Sequence, residues 1–261
     1  MPSKNSKVVV FCLILAGMFA CSQPPAEVQE AAVPMEATDP ASLTSGGYSI
    51  FNETMADMTW QEVEKAAADG AVVLLPTAVV EEHGPHMGNG VDTYLAYQTC
   101  RIARRELESL GIQALIAPPY YWGRNGATHV FPGTFTVRDS TMKALLKDTL
   151  ASLKSWGFTE VFNVNWHYDG THLRTLLQAV IGSAQDPDIN FYFMMPDYDV
   201  ARFGFSGEEP FLLVHETPPD ESEPQDYLDL HAGAGETGVM AAHFPEQVDQ
   251  EMARTLEQTQ L

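Results

Sequence analysis

Cysteines, basic residues and long apolar runs are all scarce in this chain, and each shortage excludes something. The 261 residues include three cysteines, Cys12, Cys21 and Cys100. Two of them fall in the first 21 positions, so the folded part keeps Cys100 alone and closes no internal disulfide. Cys100 sits among apolar residues at helical spacing and reads as a small core side chain. Lys and Arg total 14 against 35 Asp and Glu, a formal charge of −21. Such a surface repels phosphate backbones, which excludes nucleic acid as a partner. No apolar run approaches the roughly 20 residues of a spanning helix.

Part of the acidity is local. The stretch "GFSGEEPFLLVHETPPDESEPQDYLD", residues 204–229, holds eight acids and no Lys or Arg. It reads either as a solvated loop or as a lid, since loops of this length in compact domains are often functional. Residues 22–47 nearly lack large apolar side chains and cannot bury enough to order themselves, so they read as a flexible tether. Ahead of them, "MPSKNSKVVVFCLILAGMFAC" puts Lys4 and Lys7 before an apolar run from Val8 to Leu15, then small residues and a cysteine. This is the pattern of an export signal with lipoprotein-type processing. The expected organisation is a signal peptide over 1–20, a tether over 21–47 lipidated at Cys21, and one folded domain over 48–261. The expected location is the periplasm or cell-surface side, with membrane contact only through the lipid.

What is present is an alternation of strands and helices. "MTWQEVEKAAADG" opens with a capping box from Thr59 to Glu62 and ends on a glycine, so it predicts a helix. "AVVLLP" is a short all-apolar run, the pattern of a strand buried on both faces. A helix from Asp92 to Leu110, a strand in "IQALIAP" and a long loop from Pro118 to Val137 follow. A helix with Asp139 as N-cap, a strand in "TEVFNVN", a helix from Gly170 and a strand in "INFYFMMP" come next. "GETGVMAAHF" and "PEQVDQEMARTLEQ" predict two closing helices. The class is α/β: a single layered domain with a largely parallel central sheet flanked by helices. Three polar loops, beginning near Thr77, Pro118 and Asn165, leave the C-terminal ends of strands, the edge where open α/β sheets bind ligands.

Two of these loops are crowded with ionisable residues. In "VVEEHGPHMGNGVDTYLA" Glu81 and His83 are two apart, which in an extended segment points both the same way. Gly and Pro residues then let the chain turn back to Asp92. That carboxylate could be a simple helix-terminal cap. "NVNWHYDGTH" repeats the spacing with His167 and Asp169. Two imidazoles and three carboxylates suit zinc, manganese or iron(II) better than a thiolate-binding metal. Three converging carboxylates raise one another's pKa. Two divalent cations bring +4 against −3, which relieves that cost and leaves capacity for a bridging hydroxide that attacks a carbonyl. A lone Glu-x-His is usually a structural pair; the joint occurrence after successive buried strands favours metal.

These residues resemble the creatininase (creatinine amidohydrolase) family. "LPTAVVEEHGPHMGNGVDTYLA" is similar to its Glu-x-His-Gly-x-His, Pro/Gly turn and Asp-Thr motif. "HVFPGTFTV", "NVNWHYDG" and "HAGAGETGVM" resemble its Phe-Pro-Gly-Thr, Asn-Gly-His and His-Ala-Gly-x-x-Glu-Thr segments. The four motifs occur in the family's order over most of residues 55–250. The resemblance implies a compact creatininase-like α/β fold, a homo-oligomer assembled as a hexamer, and two divalent ions per chain. It implies that Glu81, Asp92 and His167 hold one ion, and that His83, the shared Asp92 and Asp169 hold the other. It assigns His231 to protonating the leaving nitrogen, and Glu236 to orienting or deprotonating the metal-bound water or to serving as a ligand. The implied activity is hydrolysis of a small cyclic amide or related C–N bond. The same site could cleave a lactone, ester, formamide or ring ketone, and a non-catalytic lipoprotein binding a metal or solute is the alternative of another class. The third motif departs from the family: creatininase itself has His-Tyr-Glu-Asn where this chain has His167-Tyr168-Asp169-Gly170. Tyr168, Trp166 and His129 are the expected substrate contacts, whereas His86 and His172 read as supporting residues.

Overall fold

The computed structural model describes residues 49–184, 186–216 and 231–256. The expected signal and tether, and much of the acidic stretch, lie outside the described residues. The elements run α1 (Trp60–Ala68), β1 (Val72–Thr77), α2 (Val91–Ser109), β2 (Ala114–Ile116), α3 (Asp139–Ser155), β3 (Glu160–Asn165) and α4 (Gly170–Ser183). They continue with β4 (Asn190–Pro196), α5 (Asp197–Val200), β5 (Leu212–His215), α6 (Ala234–His243) and α7 (Gln250–Ala253). Five strands form one sheet in the order β2-β1-β3-β4-β5, every neighbouring pair parallel.

The apolar pattern explains the layers. All six residues of β1 are buried, and their alternation sends Val73 and Leu75 to one face and Val72 and Leu74 to the other. The first face packs against α1, α3 and α4 through Ala66, Met142, Leu146, Leu173 and Leu176. The second packs against α2 through Cys100, Ala103 and Leu107. Truncating one of these fully buried leucines to alanine costs about 2–5 kcal/mol. A third cluster, with Leu95, Tyr97, Met240 and Phe244, joins α2 to α6. Cys100 is buried and unpaired, as its neighbours imply.

The topology creates the crevice. From β1 the chain goes outward to β2, then crosses back to place β3 on the opposite flank of β1. The winding direction therefore reverses between β1 and β3, and such a reversal opens a cleft at the strands' C-terminal ends. The loops leaving β1 and β3 are the two that carry the ionisable residues.

Local expectations hold with some corrections. Thr59 and Glu62 form the capping box, each accepting the other's backbone N–H, at 3.4 and 2.7 Å. Asp139 is the first residue of α3 rather than its N-cap, which is Arg138; its carboxylate instead pairs with Arg124 Nε at 2.6 Å. The acidic stretch is not all loop, because "LLVH" within it becomes edge strand β5 against β4. The final predicted helix is broken into a 3₁₀ turn at Pro245–Gln247 and the short α7. Its backbone is used elsewhere: Gly88 N–H donates to Gln247 O at 3.3 Å and Asp249 N–H to His86 O at 2.7 Å. The C-terminal segment thus braces the loop after β1.

Candidate metal centre

The loop after β1 is closed on itself before it reaches α2. Glu81 N–H donates to Asn89 O at 2.9 Å, and Thr93 Oγ1 donates to Val79 O at 2.9 Å. Asp92 lies in the first turn of α2, whose N-cap is Gly90, and it makes no cap hydrogen bond. Its side chain turns inward instead. Exposure is 3 % for Glu81, 0 % for His83, 1 % for Asp92 and 5 % for His167. Charges are almost never buried to this degree unless paired or bound to a cation.

Around Asp92 the four residues converge. His167 Nδ1 lies 2.9 Å from Glu81 Oε1 and 3.0 Å from Asp92 Oδ2. On the other side, His83 Nε2 lies 3.1 Å from Asp92 Oδ1 and 3.8 Å from Glu236 Oε2. One carboxylate thus stands between two imidazoles, one oxygen toward each. The far nitrogens are anchored to the backbone: His167 Nε2 to Arg124 O at 3.0 Å, and His83 Nδ1 to Glu81 O at 3.1 Å. A carbonyl only accepts, so both far nitrogens carry protons and the inward nitrogens are left to bind. This is the arrangement that orients metal-ligating histidines.

Donor atoms close enough to share an ion fall into three overlapping trios: Glu81, Asp92 and His167; His83, Asp92 and Glu236; and Glu81, His83 and His231. Asp92 Oδ2 is buried, and among the described residues its near partner is the His167 imidazole at 3.0 Å, off the line of a well-formed hydrogen bond, a place where a cation would be favoured. The donor set, its charge and this oxygen all fit divalent metal.

Electrostatics follow from the packing. Burial pulls the pKa of His83 and His167 down, but hydrogen bonds and charge from Asp92 and its partner carboxylates outweigh it, lifting them to about 9 and about 10. Burial likewise opposes ionisation of Asp92, yet the two imidazoles hold its carboxyl well below the ordinary range. Burial pushes Glu236 up, against the pull of His83.

His231 and Glu236 come in from the start of α6. His231 Nε2–H donates to Glu82 O at 2.7 Å, leaving Nδ1 turned toward Glu81 Oε1, 3.9 Å away. Its ring lies 4.4 Å from that of His83. Glu236 Oε2 accepts from Ala232 N–H at 2.6 Å.

The structure does not bring Asp169 into this cluster. Asp169 is the N-cap of α4: Oδ1 accepts from Thr171 N–H at 2.8 Å and His172 N–H at 3.1 Å, and Oδ2 from Gly126 N–H at 3.0 Å. Burial opposes ionisation, but these donors and the Thr171 hydroxyl lower its pKa to about 2. The three expected substrate contacts, Trp166, Tyr168 and His129, lie apart from the buried donors. Trp166 is partly buried against two of the core clusters, with its indole N–H donating to Thr99 Oγ1 at 2.8 Å. Tyr168 is exposed. His129 is exposed too, its Nδ1–H donating to Gly126 O at 2.7 Å.

Two supporting groups, the Thr128 hydroxyl and the Arg124 carbonyl, went unread in the sequence, while His172 has the supporting place expected of it. Thr128 donates its hydroxyl to Glu81 Oε2, and the Arg124 carbonyl orients His167. Buried His172 keeps a pKa well below the usual imidazole value, through burial first and the His167 charge second. His172 is also in edge contact with the His167 ring. Thr128 and Arg124 lie in the loop after β2, the third sheet-edge loop, and that address was the available signal.

Comparisons with known proteins agree with this fold. Residues 56–261 match the family model described as creatininase, creatinine amidohydrolase. The chain is 27 % identical over 222 residues to creatinine amidohydrolase of Pseudomonas putida, covering 77 % of this chain and 74 % of that protein. It is 33 % identical over 155 residues to the mycofactocin precursor peptide peptidase of Mycolicibacterium smegmatis, with 57 % and 59 % covered. It is 25 % identical over 202 residues to 3-dehydro-scyllo-inosose hydrolase of Thermotoga maritima, with 75 % and 58 % covered. Among solved structures, a creatinine amidohydrolase (creatininase) superposes with a TM-score of 0.60 at 24 % identity, covering 79 % of this chain and 77 % of its own. A creatininase structure named for manganese gives 0.59 at 23 %, covering 79 % and 78 %.

Proposed function

This chain belongs to the creatininase family of amidohydrolases, and from that premise we propose that it hydrolyses a small cyclic amide or related C–N bond using two divalent ions. The observation that carries this reading is the single buried carboxylate of Asp92 set between the inward nitrogens of His83 and His167. The first ion would be held by Glu81, Asp92 and His167, and the second by His83 and the other Asp92 oxygen. Bound there, the ions would supply a water activated near neutral pH and an electrophile for the carbonyl. Zinc, manganese and iron(II) all suit the N/O donors, and the similar structure named for manganese supports a divalent ion.

The chain's own residues do the rest. Thr128 and the Arg124 carbonyl hold Glu81 and His167 in place. His231 donates a hydrogen bond from Nε2–H to the Glu82 carbonyl, which leaves Nδ1 facing the centre. From Nδ1 it would deliver a proton to a departing nitrogen, a general-acid task to which imidazole is suited. Burial of the donors excludes bulk water and strengthens every interaction within.

The activities of the relatives, on creatinine, a precursor peptide and an inosose, support a second reading in which the same centre opens a ring ketone, lactone, ester or formamide. We place the activity outside the cytoplasm, on a domain tethered through residues 21–47 and assembled as a homo-oligomer, on the strength of the export pattern and the family resemblance. The deciding experiment is metal content per chain, on protein purified without chelator and incubated with zinc or manganese. About two ions in the wild type, lost in Asp92→Ala, would justify assays on cyclic amides and lactones. An ion-free wild type would overturn the reading.

A further inference from the structure

We propose that His172 is a positioning residue of the centre: its imidazole closes a ring of hydrogen bonds around His167 and so sets the angle at which His167 meets an ion. This role rests on the reading of His167 as a ligand above and adds to it the group that aims the ring.

The circuit can be followed bond by bond. Arg124 N–H donates to His172 Nδ1 at 3.3 Å. The carbonyl of the same residue accepts from His167 Nε2–H at 3.0 Å. The His167 carbonyl accepts from Asn165 Nδ2 at 2.7 Å, and Asn165 Oδ1 lies 3.1 Å from His172 Nε2. A backbone N–H only donates and a carbonyl oxygen only accepts, so each proton has one place. His172 keeps Nδ1 bare and carries its proton on Nε2, a single tautomer set by its two neighbours. His167 is then held twice, by its ring through Arg124 and by its main chain through Asn165. Both holds end on His172.

The packing leaves this circuit little play. His172 is fully buried, and its ring meets that of His167 edge-on, with centroids 4.9 Å apart and planes at 84°. Asn165 Oδ1 also accepts the Thr77 hydroxyl at 3.2 Å, and Asn163 Nδ2 donates to that hydroxyl oxygen at 2.8 Å. The ends of β1 and β3 are therefore tied to the same imidazole. On its other side the chain before Arg124 comes so near that a Cβ on Gly123 would lie 2.3 Å from His172 Nδ1. Only glycine admits that approach. A side chain that merely filled space would need neither two directed bonds nor a glycine opposite its nitrogen.

Substitutions at this position separate the two arms. His172→Asn can set an amide oxygen where Nδ1 stands and keep the Arg124 N–H, the arm that governs the His167 ring. His172→Gln reaches toward Asn165 instead, and His172→Met fills volume with neither bond.

The test takes full-length wild type and these three variants, each stripped of metal and shown by a cooperative urea transition to be folded. Imidazole nitrogen NMR shifts of the stripped wild type should place the His172 proton on Nε2 alone. In zinc titration calorimetry, the ion bound through His167 should weaken about 10- to 100-fold in His172→Met and His172→Gln, the usual effect of losing an outer partner. His172→Asn should recover most of that loss. A His172 proton on Nδ1 would overturn the proposal, as would wild-type zinc affinity in His172→Met. Equal losses in His172→Asn and His172→Gln would also overturn it, as the mark of a packing role; that contrast decides alone if His172→Met does not fold. Each of these three results leaves the metal reading standing, whereas a wild type that takes up no zinc removes the metal reading and this role together.

Discussion

His83 and His167 hold protons in the metal-free protein for the reason that makes them good ligands: carboxylates face their inward nitrogens. Their pKa values of about 9 and about 10 stand above the ordinary 6.5. A raised folded value contributes stability that is complete below pH 6.5 and is lost as pH rises through 9 and 10. Metal has the opposite dependence, because each ion must displace a proton. The melting temperature of chelated protein should therefore fall between pH 7 and 10. Zinc affinity should rise with pH over 6 to 8, with about two protons released per fully loaded chain, one from each histidine. Calorimetry in buffers of different ionisation enthalpy reads that number, and zero release would contradict the protonated state. At His231 the expectation is kinetic. His231→Ala should lower kcat by about 10²–10⁴ while both metals remain bound; loss of metal would instead make it a ligand, as its proximity to Glu81 and His83 allows.

The convergence of Glu81, His83, Asp92 and His167 was legible because a Glu-x-His and a His-x-Asp pair occur together after successive buried strands, where either pair alone would read as structural. The structure sets Asp169 apart as a helix cap, and the same residue type serves two purposes where a strand gives way to a helix. "DGTH" is also an N-cap pattern, and nothing in the spacing ranks the cap below the metal.

The elements repeat this division. β1, β3, α1 and α4 could be read from burial pattern and caps, whereas β5 was hidden in acidic composition. Strand formation there depends on β4 lying alongside, which no local pattern reports. The broken C-terminal helix has the same cause, since its backbone is taken up by the loop at 86–88. Two predictions belong here. Asp169→Ala should destabilise the protein by about 1 kcal/mol through the lost cap, with Asp169→Asn close to wild type; urea midpoints at constant slope give the comparison. Gly133 has φ of +94°, and a Cβ there would lie 2.0 Å from the Asn89 side chain. Gly133→Ala should therefore push the turn after β2 off the metal loop and cost both stability and metal affinity, read from the same denaturation and zinc titrations.

Across the whole molecule, the winding reversal between β1 and β3 is what gathers one centre from loops far apart in sequence. Thr77 pairs in register with Asn165, 88 residues away, and the donors sit just beyond that pair. The consequence lies in folding kinetics. Contacts of such separation form slowly, after a large loop has closed, and the cluster does not exist until β1 and β3 have met. Metal should then leave the refolding rate nearly unchanged and slow unfolding, because it stabilises an arrangement completed after the transition state. Stopped-flow traces with and without zinc would show one limb of the chevron moving while the other stays still.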